Sequence, residues 1–225
     1  MRWNRWLLAS AVGGFIGSVV GALVGWVSFG AGFGVAVGLG VGLFQWRALR
    51  AMVPAADENA RGSDGIIWVG SSVMAAVIPG WLLLFAVVLG GSNGGQPVED
   101  AGAYVGGVAA AAMLFAGVPG AFCSLLAGAF QWRVLKGRLP AAASRSALSW
   151  IAATLVGWGL SWAVEGAAAS LILTSTALER PMALVVFAAG LVALLGSWVP
   201  TAVTTGIILA RLLPGTSTDT PVPAL

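Results

Sequence analysis

No histidine occurs in the 225-residue chain, cysteine occurs once, and charged residues make up only 8%. Each shortage excludes a class of chemistry. Without histidine there is no His-dependent triad, no His-ligated haem or chlorophyll and no Cys/His zinc site. Cys123 has no partner for a disulfide within the chain, and inside an apolar run it reads as a small packing residue. The shortage of charge is the most telling, because a soluble domain carries about 25% charged residues. A water-facing surface cannot be built from this composition. No metal or cofactor is expected.

Long apolar runs stand where charge is missing. Hydrophobic residues make up 59%, and glycine fills 33 positions. No charge falls between Arg5 and Arg47, between Asp64 and Glu99, between Asp100 and Arg133, or between Arg180 and Arg211. Glu165 alone interrupts the run from Arg145 to Glu179. About 20 apolar helical residues cross a hydrocarbon core about 30 Å thick. As one helix the first run, 6–46, would be about 60 Å long; it must fold back, and Ser28-Phe29-Gly30 is the expected turn. Helices are predicted over 6–27, 31–50, 66–90, 103–136, 148–174 and 182–212. Barrel strands would show short alternating segments instead. Trp6–Val27 resembles a secretion signal but is too long for its apolar region and runs into a second span, so it reads as an uncleaved first helix.

The charges sort by side. Arg2 and Arg5 precede the first helix, Arg47, Arg50 and Arg61 follow the second, Arg133, Lys136, Arg138 and Arg145 follow the fourth, and Arg211 closes the sixth. The other side has Glu99, Asp100, Glu179 and Arg180. Cationic loops stay cytoplasmic, which predicts an inner (plasma) membrane protein with both termini in the cytoplasm. The formal net charge of +3 does not indicate nucleic-acid binding, since no basic, aromatic-interleaved patch lies outside the apolar runs. Residues 54–65 read as a polar cytoplasmic loop, 90–102 as a flexible external loop, and 214–225 as a disordered tail. The expected architecture is all-α: a polytopic transmembrane bundle of six helices forming a single domain over 1–213.

An internal repeat supports three hairpins. Gly42-Leu-Phe-Gln45-Trp46-Arg47-Ala-Leu49-Arg50 matches Gly128-Ala-Phe-Gln131-Trp132-Arg133-Val-Leu135-Lys136, and Gly206-Ile-Ile-Leu-Ala-Arg211-Leu-Leu213 is a degraded third copy. Each copy ends an even-numbered helix, so the pattern predicts hairpins 1–2, 3–4 and 5–6 in one orientation. The signature resembles uncharacterised bacterial multipass membrane proteins carrying repeated G-x-x-Q-W-x-x-L-R segments. That resemblance implies a topology and no activity. Physically, Trp46 and Trp132 suit the headgroup level, Arg47, Arg133 and Arg211 reach phosphates beyond it, and Gln45 and Gln131 can hydrogen-bond a neighbouring helix. A substrate- or partner-binding role for the two glutamines is the alternative.

Glycine recurs every fourth residue at Gly13, Gly17, Gly21 and Gly25, and again at Gly30, Gly34, Gly38 and Gly42. Such positions share one helix face and let two backbones approach closely. The two glycine-zipper faces are expected to pack on each other. The alternative is self-association, or docking to another membrane protein.

Glu165 is the one charge inside a span and therefore the leading candidate for a functional residue. Trp158, Ser161 and Trp162 share its helix face, and Ser197, Thr201, Thr204 and Thr205 form a polar stripe on the sixth helix. Pro79, Pro119 and Pro200 are expected to break their helices around a small polar cavity, as in carriers that bind solutes at mid-membrane. The alternative is a neutral Glu165 that serves packing. An enzyme is not expected, because no nucleophile–base pair or aspartate pair lies within the spans. The preferred expectation is a non-enzymatic accessory or assembly subunit in the lipid bilayer. A small-solute carrier is the alternative.

Overall fold

The computed structural model describes residues 2–25, 31–53, 60–91, 101–139, 146–177, 190 and 198–213. These residues form α1 (Arg2–Gly25), α2 (Ala31–Met52), α3 (Ala60–Gly91), α4 (Ala101–Lys136), α5 (Ala147–Ala177) and α6 (Val199–Leu212), and no strand occurs among them. Helices are the natural outcome for such a sequence, because a helix satisfies every backbone N–H and C=O within its own segment. Five of the six are long and apolar enough to cross a membrane, and α6 is a shorter apolar helix. The chain is a multipass, membrane-embedded helical protein.

Consecutive helices run antiparallel and pack side by side. α6 returns against α1, which closes the six into a ring, and α3 also touches α5 across the middle. Outward-facing apolar side chains stand open all round, among them Leu8, Leu43, Ile66, Phe122, Leu148 and Ile207. In water that surface would demand a cover. In hydrocarbon it is already at home.

The described basic residues gather at one end of the ring. Arg5 opens α1, Arg47 and Arg50 close α2, Arg133 and Lys136 close α4, and Arg211 lies in the last turn of α6. Arg138, just past α4, bonds Asp64 near the start of α3 through Nη2 at 2.8 Å and Nε at 3.0 Å. Its Nη1 donates to the Val53 carbonyl after α2 at 3.1 Å, and its guanidinium lies 4.7 Å from the Trp46 ring centre. One side chain thereby ties three helix ends together.

Several expectations require correction. α3 begins at Ala60, so part of the anticipated polar loop is helical. Pro79 and Pro119 do not break α3 or α4, which run through them. Pro200 sits at the start of α6, where its missing N–H removes no internal helix bond. The remainder of the predicted sixth helix, Ser28-Phe29-Gly30, the external loop and the tail lie outside the described residues, apart from Gly90, Gly91, Ala101, Gly102, helical Gly190 and Trp198.

The two glycine faces do not pack on each other. A Cβ on Gly17 would come 2.7 Å from the Val37 Cα, and one on Gly21 would come 2.7 Å from the Phe33 ring. The α1 ladder therefore meets a different face of α2, where Gly40 is the small residue. The α2 ladder faces α3: a Cβ on Gly34 would lie 2.7 Å from the Val77 Cα, and one on Gly38 would lie 2.5 Å from the Val73 Cα. Gly25 ends α1, and Gly30 lies outside the described residues. The pattern continues around the ring, with Gly117 and Gly159 facing each other across α4 and α5 and Gly157 against Thr201 of α6.

Candidate functional site

The arginine-rich end of the ring is built around tryptophan. Trp6 of α1, Trp68 of α3 and Trp150 of α5 are 1%, 0% and 0% exposed. Their rings touch pairwise, with centroids 6.1, 6.3 and 5.9 Å apart. Three alternate helices of a ring can share contacts only near its axis, so these indoles fill the axis at this end. Edge-to-face and tilted arrangements of this kind contribute roughly 0.5–1.5 kcal/mol per pair beyond area burial. Trp6 Nε1 donates to Thr205 Oγ1 at 3.1 Å. The buried indole nitrogens of Trp68 and Trp150 meet no acceptor among the described residues.

A polar layer lies one turn farther in. Gln45 Nε2 donates to Ser10 Oγ at 3.0 Å, joining α2 to α1. Gln131 Nε2 donates to Ser72 Oγ at 3.3 Å, joining α4 to α3. The bridge expected of these glutamines is present in both hairpins. Thr154 of α5 stands one turn beyond Trp150, as Ser10 and Ser72 stand one turn beyond Trp6 and Trp68, and it returns its hydroxyl to the Trp150 carbonyl at 2.8 Å. Its expected glutamine partner is missing because α6 carries Leu209 there, a buried apolar residue.

The headgroup placement of the motif tryptophans is corrected. Trp46 and Trp132 are 7% and 8% exposed and belong to the same buried cluster as the axial indoles. Gln45 and Gln131, at 2% each, are equally enclosed. The arginines of the motif, Arg47, Arg133 and Arg211, are exposed. A second aromatic cluster occupies the other half of the ring. Trp198 packs 5.6 Å from both Trp158 and Trp162, and Phe33 of α2 reaches Trp162 at 6.1 Å from the opposite side. Trp198 Nε1 also donates to Ser18 Oγ of α1 at 2.9 Å, sealing the closing joint of the ring.

The polar residues anticipated on α5 and α6 are only partly united. Ser161 and Thr201 share a hydroxyl hydrogen bond of 2.9 Å across the two helices. Glu165, 5% exposed, is buried one turn along α5 from Ser161. Thr204 instead donates to the Pro200 carbonyl at 2.8 Å, and Thr205 turns toward Trp6. Ser197 lies outside the described residues. Thr201 and Ser161 thus form a small polar contact beside Glu165, and Thr205 belongs to the tryptophan centre.

Trp6, Trp68, Trp150, Ser10, Ser72 and the Arg138–Asp64 pair were not anticipated as a site. A signal for most of them exists in the sequence. Each odd-numbered helix carries Trp followed four residues later by Ser or Thr, at Trp6–Ser10, Trp68–Ser72 and Trp150–Thr154. Comparison with protein families, with curated proteins and with solved structures finds no significant match.

Proposed function

We propose that the protein is a non-catalytic component of a bacterial inner membrane: an accessory or assembly subunit with both termini in the cytoplasm. One observation carries this reading. Six tryptophans, five from α1, α3 and α5 and one at the N-terminal cap of α6, occupy the interior of the ring, and their close packing favours a rigid body over a solute path. The glycine faces favour it too, since they bind the helices to each other and leave the outer surface for lipid or a partner. The recurrent Trp–Ser/Thr and Gly-x-x-Gln-Trp-Arg positions support descent of the three hairpins from one ancestral hairpin. The gathering of arginine at one end supports the cytoplasmic assignment of that end.

Solubilisation in a mild detergent, affinity capture and mass spectrometry test the proposal. A second membrane protein present in stoichiometric amount is expected. Recovery of this chain alone from its native membrane contradicts it. Glu165 favours a second reading, that of a small-solute carrier, because a buried carboxyl beside the Ser161–Thr201 pair is costly unless it serves a purpose. On that reading, Glu165→Gln inserts normally yet loses solute uptake or a pH-dependent response. If Glu165→Gln and Glu165→Ala both match the parent protein, the carrier reading loses its central residue.

A further inference from the structure

Between the arginine-rich ends of α2 and α3 lies an open groove of about 610 Å³. Leu39, Leu43, Val69 and Val73 form its apolar walls, and Arg50 lines it at the end where α2 finishes and α3 starts. Gly62 and Gly70 of α3 also line it. These two glycines differ from the packing glycines, because a Cβ at either would meet nothing within 4 Å. A glycine inside a helix costs about 1 kcal/mol relative to alanine, and no neighbouring helix demands these two. Their effect is to keep the groove open. Gly65 has a separate reason, since its Cβ would come 2.9 Å from the Trp46 indole nitrogen.

The equivalent positions of the other odd-numbered helices carry side chains. Counted from the axial tryptophans, Ala152 on α5 and Leu8 on α1 stand where α3 has Gly70, and Ala147 and Trp3 stand where it has Gly65. Arg50 is the one charged side chain among the described residues that line the groove. Arg50 is exposed there, and the first turn of α3, where Gly62 leaves the backbone uncovered, adds the positive end of a helix dipole. Asp64, the nearest acidic residue of α3, is engaged by Arg138.

We propose that this groove binds an anionic phospholipid, with its phosphate at Arg50 and the first turn of α3 and one acyl chain along Leu39, Leu43, Val69 and Val73. A basic mouth above an apolar channel between membrane helices matches both halves of such a molecule. The assignment does not depend on the subunit reading above, only on the membrane location.

The test reconstitutes the protein into phosphatidylcholine vesicles containing a minor fraction of phosphatidylglycerol. The protein is re-extracted into mild detergent, and its co-purifying lipids are identified by mass spectrometry. Phosphatidylglycerol is expected to exceed its share of the vesicle. Arg50→Gln lowers that enrichment about fivefold, the factor one cation supplies near an anionic lipid surface, and Arg50→Lys preserves most of it. Gly70→Leu fills the channel and removes the lipid while thermal unfolding stays unchanged, and Arg211→Gln at the end of α6 has no effect. Absence of enrichment in the parent protein, or enrichment as high as the parent's in both Arg50→Gln and Gly70→Leu, overturns the proposal. Displacement of the lipid by inorganic phosphate alone also overturns it, because the site would then be one for a free anion.

Discussion

Gly38 and Gly70 lie on neighbouring helices and do opposite things. A Cβ at Gly38 would sit 2.5 Å from the Val73 Cα and 2.8 Å from the Ser72 carbonyl oxygen, both backbone atoms that cannot rotate away. Gly38→Ala is expected to cost about 1–3 kcal/mol as an overpacking substitution. Gly70→Ala meets open space and is expected to be neutral or stabilising by up to about 1 kcal/mol. Unfolding of both variants in one detergent checks the pair, and equal effects would contradict the packing described. The Gln45–Ser10 bond belongs to the same scale. Interhelical hydrogen bonds in membrane proteins contribute about 0.6 kcal/mol on average and at most about 1.7. A double-mutant cycle of Gln45→Leu and Ser10→Ala is expected to give a coupling within that range, and a coupling of zero would remove the bond from the account. The bridging capacity of Gln45 and Gln131 was legible in the sequence, but their partners were not. A serine at one end of an apolar helix carries no mark of which neighbour it will face.

At the scale of elements, the joints between helices are made in two ways. Along their length the helices meet through glycine and alanine, where close approach gains dispersion contacts. At their ends they are tied by polar groups, chiefly Arg138. Arg138→Gln removes the ion pair with Asp64, the bond to the Val53 carbonyl and the stacking on Trp46. A loss of about 1–3 kcal/mol is expected, as for other hydrogen bonds to charged groups. Asp64→Asn in that background should add little, and Arg138→Lys should rescue only partly, since an ammonium lacks the planar fork that serves three partners. Full additivity of the Arg138 and Asp64 substitutions would show that the two do not act together. The sequence indicated helices α1 to α5 with the start of α3 placed six residues late, because hydrophobic length is a strong signal in lipid and a polar first turn is not. It misjudged the prolines. A membrane helix continues through Pro79 and Pro119 because neighbouring helices, hydroxyl side chains or water can satisfy a freed carbonyl there, and no local rule reveals those partners in advance.

At the scale of the whole molecule, the antiparallel ring puts the starts of α1, α3 and α5 at the same end as the finishes of α2, α4 and α6. Reporter fusions at Gly95 and Ala142 are therefore expected in opposite compartments, with Ala142 in the cytoplasm. Finding both on one side would overturn the six-span arrangement. Ring closure depends on tryptophan as much as on glycine: Trp6 reaches Thr205 and Trp198 reaches Ser18, both across the α1–α6 joint.

Composition by itself determined the solvent. A chain with 8% charge and long uncharged runs has to lie in lipid, and the spacing of its charges marks out the candidate spans. What only the tertiary structure decided is which apolar face points inward. Trp46 and Trp132 could as well have met headgroups as protein, and the α1 glycines could as well have met the α2 glycines as the opposite side of that helix. The reason is that lipid and protein interior are equally apolar, so hydrophobicity cannot tell them apart along these helices. Shape complementarity and a few hydrogen bonds make that choice, and both exist only once all six helices are in place.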